Sequence, residues 1–367
     1  MQTGTITVRA TLFWCALTLL LMAASQPQEA RKFREEDPDP ASVIARAKVW
    51  MPTSIPSMDL MRGPAGPGSF EPGATISCDY VDTELGGASP KFACRLSNGD
   101  ELKVKYGGAN GEVYGELAAS RLLWALGFGA DHMYSVRVIC RGCPDRVGGI
   151  LCENGDRILD PAAVERKMPG EELVEEWDWD DLALVDESAG GATKAERDAF
   201  KLLAVLIQHS DSKPQNQRVI CVADTDTRDG RCDVPLMMIN DLGVTFGRSN
   251  AFNQQPAASV NLVGWRDVPI WDEDGVCIGN LSGSFTGTLE DPVISEAGRR
   301  VLADLLVQLS DAQIRDMFEA ARVDLRPRDP AHGRSGFPTI TEWVNAFKQK
   351  RAAIVEHRCS AQERPLQ

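Results

Sequence analysis

The chain has 367 residues, of which 43% are hydrophobic and 25% are charged, and this composition excludes collagen-like, coiled-coil and disordered proteins. Its 53 acidic and 39 basic side chains give a net charge of -14, so the average field repels a phosphate backbone and no nucleic-acid partner is expected. Ten cysteines are too many for an ordinary cytosolic protein, which favours an oxidising compartment.

The first residues are typical of a signal peptide. Arg9 is the only charge before an apolar run at 11–24, and small residues at 23–25 suit a signal peptidase. The run is shorter than the roughly 20 residues that a membrane helix needs, which favours a cleaved signal peptide. The alternative is an uncleaved membrane anchor. We therefore expect residues 1–25 to be removed, leaving a secreted or periplasmic protein with no integral membrane segment.

Residues 26–74 are rich in proline and charge, with too little apolar periodicity for a core, and they are predicted to form a leader or a wrapping arm. Strand patterns follow at 78–81, 91–96 and 101–106. An Asn98-Gly99 pair separates the last two, and both residues tolerate positive φ in a tight turn. An antiparallel meander is predicted.

After residue 106 the sequence first alternates between helix and strand patterns and then becomes mainly helical. A helix is predicted at 110–126, a strand at 133–140, another helix at 194–208, and mostly helix over the last hundred residues, with a capping box starting at Ser310. This order predicts an α+β protein with two lobes, a β-rich one with one main helix and a mostly helical one. The predicted bounds are 75–166 for the first lobe, 167–359 for the second and 360–367 for a tail.

The segment His209-Ser-Asp-Ser-Lys-Pro-Gln-Asn216 carries the most specific pattern in the chain. It resembles the protein-kinase catalytic loop, His-Arg-Asp-x-x-x-x-Asn. The resemblance implies that Asp211 faces a substrate hydroxyl, that Lys213 assists catalysis and that Asn216 binds a metal ion. Ser210 replaces the Arg of the kinase pattern, which argues against regulation through a phosphorylated activation loop.

Asn240-Asp241-Leu242-Gly243 follows four apolar residues and is similar to the metal-binding Asp-Phe-Gly of kinases. The similarity implies that Asp241 bridges Mg²⁺ or Mn²⁺ to the phosphates of ATP. Either motif alone is weak, because Asp-x-Gly occurs often by chance and an isolated Asp-x4-Asn is more often a turn. Their order along the chain is what strengthens the interpretation.

A glycine loop lies upstream, between two predicted strands. Gly86, Gly87, Ser89 and Lys91 match the Gly-Gly-x-x-Pro-Lys form of HipA-toxin-like kinases rather than Gly-x-Gly-x-x-Gly. The match implies that this loop covers the ATP phosphates with backbone donors and the serine hydroxyl.

The strand and helix after this loop contain the ingredients of a lysine–glutamate pair that holds the α- and β-phosphates. Lys103 and Lys105 share a strand face, so alternation cannot choose between them. Glu112 and Glu116 are four residues apart and share a helix face. We favour Lys105, near the strand end, and Glu116, further into the helix.

Residues 164–168, followed by Pro-Gly, look like the kinase hinge that binds adenine through its backbone, which would place Glu165 and Lys167 beside the nucleotide. Together these motifs span roughly 78–247, about half of the chain. They resemble the atypical kinases, which include HipA-like, phosphatidylinositol-kinase-like and secretory-pathway kinases. The resemblance implies transfer of the ATP γ-phosphoryl group to a hydroxyl of a protein, sugar or lipid.

Two other classes remain open from the sequence. One is a kinase-shaped pseudoenzyme that uses the same cleft as a binding module. The other is a disulfide-stapled structural or interaction protein, in which the lysines and glutamates are solvated faces and the glycines a plain hairpin loop. The complete Lys, Asp and Asn set favours an enzyme.

The cysteine positions predict several disulfides. The expected pairs are Cys221–Cys232 at the base of a hairpin, Cys78–Cys94 on the strands beside the glycine loop, and Cys277–Cys359 tying down the C-terminus. Cys140, Cys143 and Cys152 leave an odd one. The Cys140-x-x-Cys143 spacing also suits half a zinc site or a redox pair, but structural pairing is favoured because no second such motif completes a metal site.

Overall fold

The computed structural model describes residues 39–87, 89–143, 146–147, 150–151, 156–222, 227–228, 231–247, 258–272, 276–281, 287–332 and 335–359. The predicted signal peptide, the tail at 360–367 and Cys152 lie outside the described residues.

The described chain mixes strands and helices. The strands are β1 (Ala74–Val81), β2 (Lys91–Arg95), β3 (Glu101–Tyr106), β4 (Gly129–Ala130), β5 (His132–Arg141), β6 (Arg146–Val147), β7 (Ile150–Leu151), β8 (Asp156–Arg166), β9 (Gly170–Val174), β10 (Gln217–Val222), β11 (Thr227–Arg228), β12 (Arg231–Cys232) and β13 (Pro235–Ile239). The helices are α1 (Pro40–Arg46), α2 (Glu112–Leu126), α3 (Lys194–Ile207), α4 (Leu262–Asp267), α5 (Glu296–Leu306), α6 (Asp311–Ala320) and α7 (Ile340–Val355).

The first half of the chain forms a closed barrel with the strand order β1-β2-β3-β8-β5. The predicted meander is confirmed, because β1, β2 and β3 pair antiparallel in sequence. The parallel pairing of β1 with β5 that closes the barrel was not predicted. Along β3, Val104 and Tyr106 pack inside the barrel, so Lys103 and Lys105 point outward. The charged residues of β3 therefore face a neighbouring element rather than the barrel core.

That neighbour is α2, whose side chains are buried along most of its length. It ends at Gly127, where a φ of 86° favours glycine. Gly115 lets α2 approach the following part of the chain closely, since a Cβ there would lie 3.2 Å from the carbonyl oxygen of Gly243 and 3.0 Å from Val260. The helix is consequently packed directly against the segment that contains Asp241.

A second sheet has the order β4-β13-β10-β9. Its central strands, β10 and β13, pair antiparallel with Gln217 opposite Ile239. The loop from 209 to 216 enters β10 and the Asp241 segment leaves β13, so the two predicted kinase motifs emerge at the same edge of this sheet. The sheet thus places residues that are about 25 apart in sequence side by side.

The rest of the described chain is mainly helical, as predicted. Helices α3, α5, α6 and α7 share one core with α2, in which the rings of Phe246, Trp265, Phe318 and Trp343 pack against one another. The capping box predicted at Ser310 is confirmed, because its hydroxyl accepts from the Gln313 N–H and the Gln313 side chain accepts from the Ser310 N–H.

The interpretation of 26–74 as a segment without core residues was wrong for its described part. Val43, Val49, Ile55 and Leu60 are all essentially unexposed and belong to the main core. Helix α1 is only seven residues long and the chain after it is extended and irregular, so the buried residues follow no single period. The segment does wrap the protein, through bridges such as Lys48 to Leu236.

Four disulfides occur among the described residues, and the three pairs predicted from the sequence are confirmed. The fourth joins Cys140 to Cys143, in agreement with structural pairing. Over the same residues, no helix is both long enough and apolar enough to cross a membrane.

Candidate functional site

Lys105 is the centre of a buried charge cluster. Its ammonium group, which is fully buried, lies 2.6 Å from Glu116 Oε2, 3.0 Å from Glu112 Oε2 and 3.6 Å from Asp241 Oδ1. The lysine comes from β3, the glutamates from α2 and the aspartate from the segment after β13. The ion pair predicted between Lys105 and Glu116 is present, and Glu112, the residue not favoured, contacts the same lysine.

Three carboxyl groups share one ammonium group in this cluster, and the pKa values of two of them, Asp241 and Glu116, are shifted in opposite directions. Burial acts to lower the pKa of Lys105, but Asp241, Glu116 and Glu112 raise it well above its usual value. Burial acts to raise the pKa of Asp241, but Lys105 and Lys103 hold it well below the usual range. Burial raises the pKa of Glu116 to about 8 despite Lys105. Asp241 is therefore ionised at neutral pH, whereas Glu116 is the weaker acid of the two.

The predicted glycine loop, with Gly86, lies between β1 and β2 beside this cluster. Ser89 Oγ donates to Glu112 Oε2 over 2.7 Å. Gly87 has a φ of 87°, which favours glycine, and the Lys91 amine lies close to its Cα. Burial and the charge of Lys105 lower the pKa of Lys91. The loop therefore brings a second cation, Lys91, beside Lys105.

The loop resembling a catalytic loop is held in one conformation by its own side chains. Lys213 Nζ lies 3.0 Å from Asp211 Oδ2. Asn216 Nδ2 donates to the Asp211 carbonyl over 2.6 Å and to Asp211 Oδ2 over 3.2 Å. The Asn240 N–H donates to the Asn216 carbonyl over 2.9 Å, which fixes the loop beside Asp241. All four predicted residues of the two motifs are thus brought to one edge of the second sheet.

The imidazole of His209 lies beneath this loop. It is fully buried near the Trp179 ring, and burial lowers its pKa to about 4. The ring is neutral at pH 7. It packs against Trp179.

Asn216 and Asp241 have the donor atoms that a divalent cation such as Mg²⁺ takes. Because the Asn216 amide nitrogen donates to Asp211, its Oδ1 is the atom that can face a cation. Asp241 Oδ1 accepts from the Gly243 N–H over 3.0 Å and lies 3.6 Å from Lys105 Nζ. The described residues contain no group of three or more His, Cys, Asp or Glu placed to hold a metal. Two protein oxygens fit Mg²⁺ only together with phosphate oxygens and water.

Lys103 and Glu165 form a separate pair next to this cluster. Their charged groups are 2.6 Å apart, and they join β3 to β8 on the same outer face of the barrel as Lys105. Lys167 follows β8, is exposed and lines a cavity with Glu165. The structure therefore places Glu165 next to the Lys105 cluster, paired with Lys103, but leaves Lys167 outside that cluster.

A buried pair of Asp131 and Arg218 was missed by the sequence analysis. Burial and the nearby charge of Glu165 raise the pKa of Asp131 to about 7 despite Arg218. Asp131 Oδ1 accepts from the Met168 N–H over 2.8 Å, so this backbone donor of the hinge-like segment is already used. Neither residue lies in a motif. Asp131 lies between β4 and β5 and Arg218 lies on β10, and only their contact in the folded chain reveals them.

Comparisons with known proteins give little beyond this geometry. No protein-family model matches the chain. No curated protein matches it either. Among solved structures the chain is similar to the Helicobacter pylori proinflammatory kinase CtkA, with a TM-score of 0.41 and 12% sequence identity over 77% of this chain and 96% of that chain. A TM-score of 0.41 is too low to carry an inference.

Proposed function

We propose that this protein is a kinase-like phosphotransferase that moves the γ-phosphoryl group of ATP to a hydroxyl of a protein, sugar or lipid. The observation that supports the proposal is the Lys105 cluster, in which a buried lysine on β3 contacts Glu116 of α2 and Asp241 of a third segment. The pKa values of Lys105, Glu116 and Asp241 are all shifted, and groups with shifted pKa values cluster at functional sites. A site for phosphates and a divalent cation would use both the ammonium group of Lys105 and the carboxylate of Asp241.

Each part of the site has a role in this proposal. Lys105 binds the α- and β-phosphates, while Glu116 and Glu112 hold its ammonium group in place. The glycine loop with Lys91 covers the phosphates. Asn216 and Asp241 hold Mg²⁺ or Mn²⁺, which when bound neutralises phosphate charge.

The transfer step places Asp211 at the acceptor. Asp211 accepts the hydroxyl proton as the acceptor oxygen forms a bond to the γ-phosphorus. The bond from that phosphorus to the β–γ bridging oxygen breaks, and ADP leaves with the electron pair. Lys213, 3.0 Å from Asp211, provides a positive charge near the transferred group.

The proposal extends to layout and location. The barrel with α2 would form one lobe, at about 75–166, and the remaining helices and second sheet the other, at about 167–359. Four disulfides are typical of proteins in an oxidising compartment, which supports export.

A second candidate is a kinase-shaped binding module without transfer activity. It is favoured by the hinge-like segment, where the Met168 N–H is bound to Asp131 and Lys103 pairs with Glu165. The charged groups of Asp131, Lys103 and Glu165 lie where the resemblance would place an apolar binding pocket for adenine. The two candidates differ in whether the unmodified protein transfers phosphate.

The test is nucleotide binding followed by transfer. Binding is measured by thermal shift with ATP and Mg²⁺ or Mn²⁺, and transfer by radiolabelled γ-phosphate to the protein itself, to Ser-rich and acidic proteins, and to sugars and lipids. Asp211→Ala should leave nucleotide binding intact and reduce transfer by about 10²–10⁴-fold, since a positioned base acts in the transition state. Asp180→Ala, which removes an exposed carboxylate outside the site, is the matched control.

The outcomes separate the candidates. Binding with transfer that depends on Asp211 supports the phosphotransferase. Binding without transfer by the unmodified protein supports the binding module. Failure to bind any nucleotide with any metal would refute the phosphotransferase.

A further inference from the structure

The carboxylate of Glu112 contacts the same groups that the proposed function gives to the nucleotide phosphates. Its Oε2 accepts from Ser89 Oγ over 2.7 Å and lies 3.0 Å from Lys105 Nζ. Its charge also acts to raise the pKa of Lys91, which lies on β2 directly opposite Lys105. One carboxylate is therefore close to all three of the side chains that would donate to phosphate.

The two glutamates that contact Lys105 differ in depth and in partners. The Glu116 side chain is 3% exposed and its Oε2 lies 2.6 Å from Lys105 Nζ. The Glu112 side chain is 12% exposed, and it reaches the glycine loop as well as the lysine. A partly exposed carboxylate regains water when it leaves an ion pair, so it is displaced more easily than a buried one. Glu112 is thus the glutamate that an incoming anion would replace.

Packing holds the Glu112 side chain at these donors. A Cβ at Gly243 would lie 2.6 Å from Glu112 Cγ, so the side chain runs closely past the segment that follows Asp241. Carboxylate and phosphate oxygens are both anionic acceptors of charge-assisted hydrogen bonds from ammonium and hydroxyl groups. Two anions on the same two donors would repel each other strongly. Glu112 and a phosphate therefore exclude each other at Ser89 and Lys105.

We propose that the Glu112 carboxylate is a built-in competitor of the nucleotide phosphates, which must displace it from Ser89 and Lys105 in order to bind there. The proposal rests on the proposed function of this site and refines the role of Glu112 in it. Glu116 remains on Lys105 when Glu112 leaves, so the lysine keeps its position. The competition reduces the apparent nucleotide affinity in proportion to the fraction of molecules in which Glu112 has left the two donors.

The test compares the MgATP affinity of the unmodified protein with that of Glu112→Gln, which keeps the shape of the side chain and removes its charge. Glu112→Gln should bind MgATP at least about fivefold more tightly, because a neutral amide competes weakly for an ammonium group. Glu101→Gln is the matched control, since it removes one negative charge from an exposed position of β3 outside the Lys105 cluster. It should change the affinity by less than about twofold, because an exposed charge is screened.

A second measurement separates competition from simple charge repulsion. Ser89→Ala removes one of the two donors that hold the Glu112 carboxylate. The affinity gained through Glu112→Gln should therefore be at least about twofold smaller in the Ser89→Ala background than in the unmodified one. Repulsion without competition gives the same gain in both backgrounds. Circular dichroism of each variant confirms the fold.

Three results would overturn the proposal and leave the phosphate site standing. They are an unchanged or lower MgATP affinity in Glu112→Gln, an equal gain in Glu101→Gln, and an equal gain with and without the Ser89 hydroxyl. If neither the unmodified protein nor Glu112→Gln binds MgATP, the proposed function fails and the competitor role of Glu112 fails with it.

Discussion

Asp241 supplies an ionised carboxylate to the Lys105 cluster, because Lys105 and Lys103 keep its pKa low against the effect of burial. Asp241→Asn keeps the shape and the oxygen that accepts from the Gly243 N–H, but it removes the charge that attracts a divalent cation. We expect the Mg²⁺-dependent part of ATP affinity to fall by about tenfold or more, which corresponds to at least about 1.4 kcal/mol.

The measurement is a titration of ATP at fixed and at zero Mg²⁺, with circular dichroism to confirm the fold. Asp180→Asn, at an exposed position away from the cleft, is the control. An Asp241→Asn protein that keeps the full effect of Mg²⁺ would exclude Asp241 as a ligand.

Glu116 behaves differently from Asp241, since burial raises its pKa to about 8 from an unfolded value of about 4.3. A carboxyl group with a raised folded-state pKa contributes stability that is complete below about pH 4.3 and is lost as pH rises through about 8. Glu116→Gln mimics the protonated form and removes this loss. The difference in unfolding free energy should therefore shift in favour of the variant as pH rises from 4 to 8.

Urea unfolding of the unmodified protein and of Glu116→Gln at several pH values measures this shift. The opposite trend, with the variant losing ground as pH rises, would mean that Glu116 is ionised and paired with Lys105 throughout.

At the scale of elements, helix α7 depends on the acidic residue of its first turn. Glu342 accepts from the Thr339 N–H over 2.8 Å and from Arg328 over 2.6 Å, and this hydrogen bonding lowers its pKa to about 2. Its stability contribution is present above the unfolded pKa, about 4.3, and is lost as pH falls towards 2. Glu342→Gln should cost about 1 kcal/mol at pH 7 and less at pH 3.

Urea unfolding of the unmodified protein and of Glu342→Gln at pH 7 and at pH 3 gives the difference in unfolding free energy at each pH. Glu319→Gln on α6 is the control, because Glu319 is exposed and lies 3.6 Å from its only recorded ion-pair partner among the described residues, Arg315. A cost for Glu342→Gln that is equal at both pH values would contradict the assignment of the low pKa to this cap.

At the scale of the whole molecule, the disulfides restrain loops of very different length. Cys277–Cys359 closes 82 residues and Cys221–Cys232 closes 11. Loop entropy in the unfolded chain predicts about 4.5 kcal/mol for the longer loop and about 3 kcal/mol for the shorter one. Replacing both cysteines of the longer pair by serine should therefore lower the unfolding free energy more than the same replacement in the shorter pair.

Denaturant unfolding of the two double variants under non-reducing conditions checks the order. An equal or reversed cost would show that strain or residual structure outweighs loop entropy in this protein.

Local features were predictable from the sequence because they depend on residues that are close along the chain. The Asn-Gly turn, the capping box at Ser310, α2 with its glycine end and the disulfide that closes the β10–β13 hairpin all belong to this group. The spacing from Asp211 to Asn216 and the position of Asp241 also mark the candidate site in the sequence.

The tertiary structure decided what depends on contacts between distant residues. Lys103 and Lys105 are equivalent by strand alternation, and only the position of α2 gives Lys105 the glutamates while β8 gives Lys103 to Glu165. The parallel closure of the barrel, the Asp131–Arg218 pair and the bridge from Lys48 to Leu236 have no periodic or motif signal. They arise when separate surfaces pack. A buried charge or backbone donor without a partner is unfavourable, and in these cases the partner comes from a distant part of the chain.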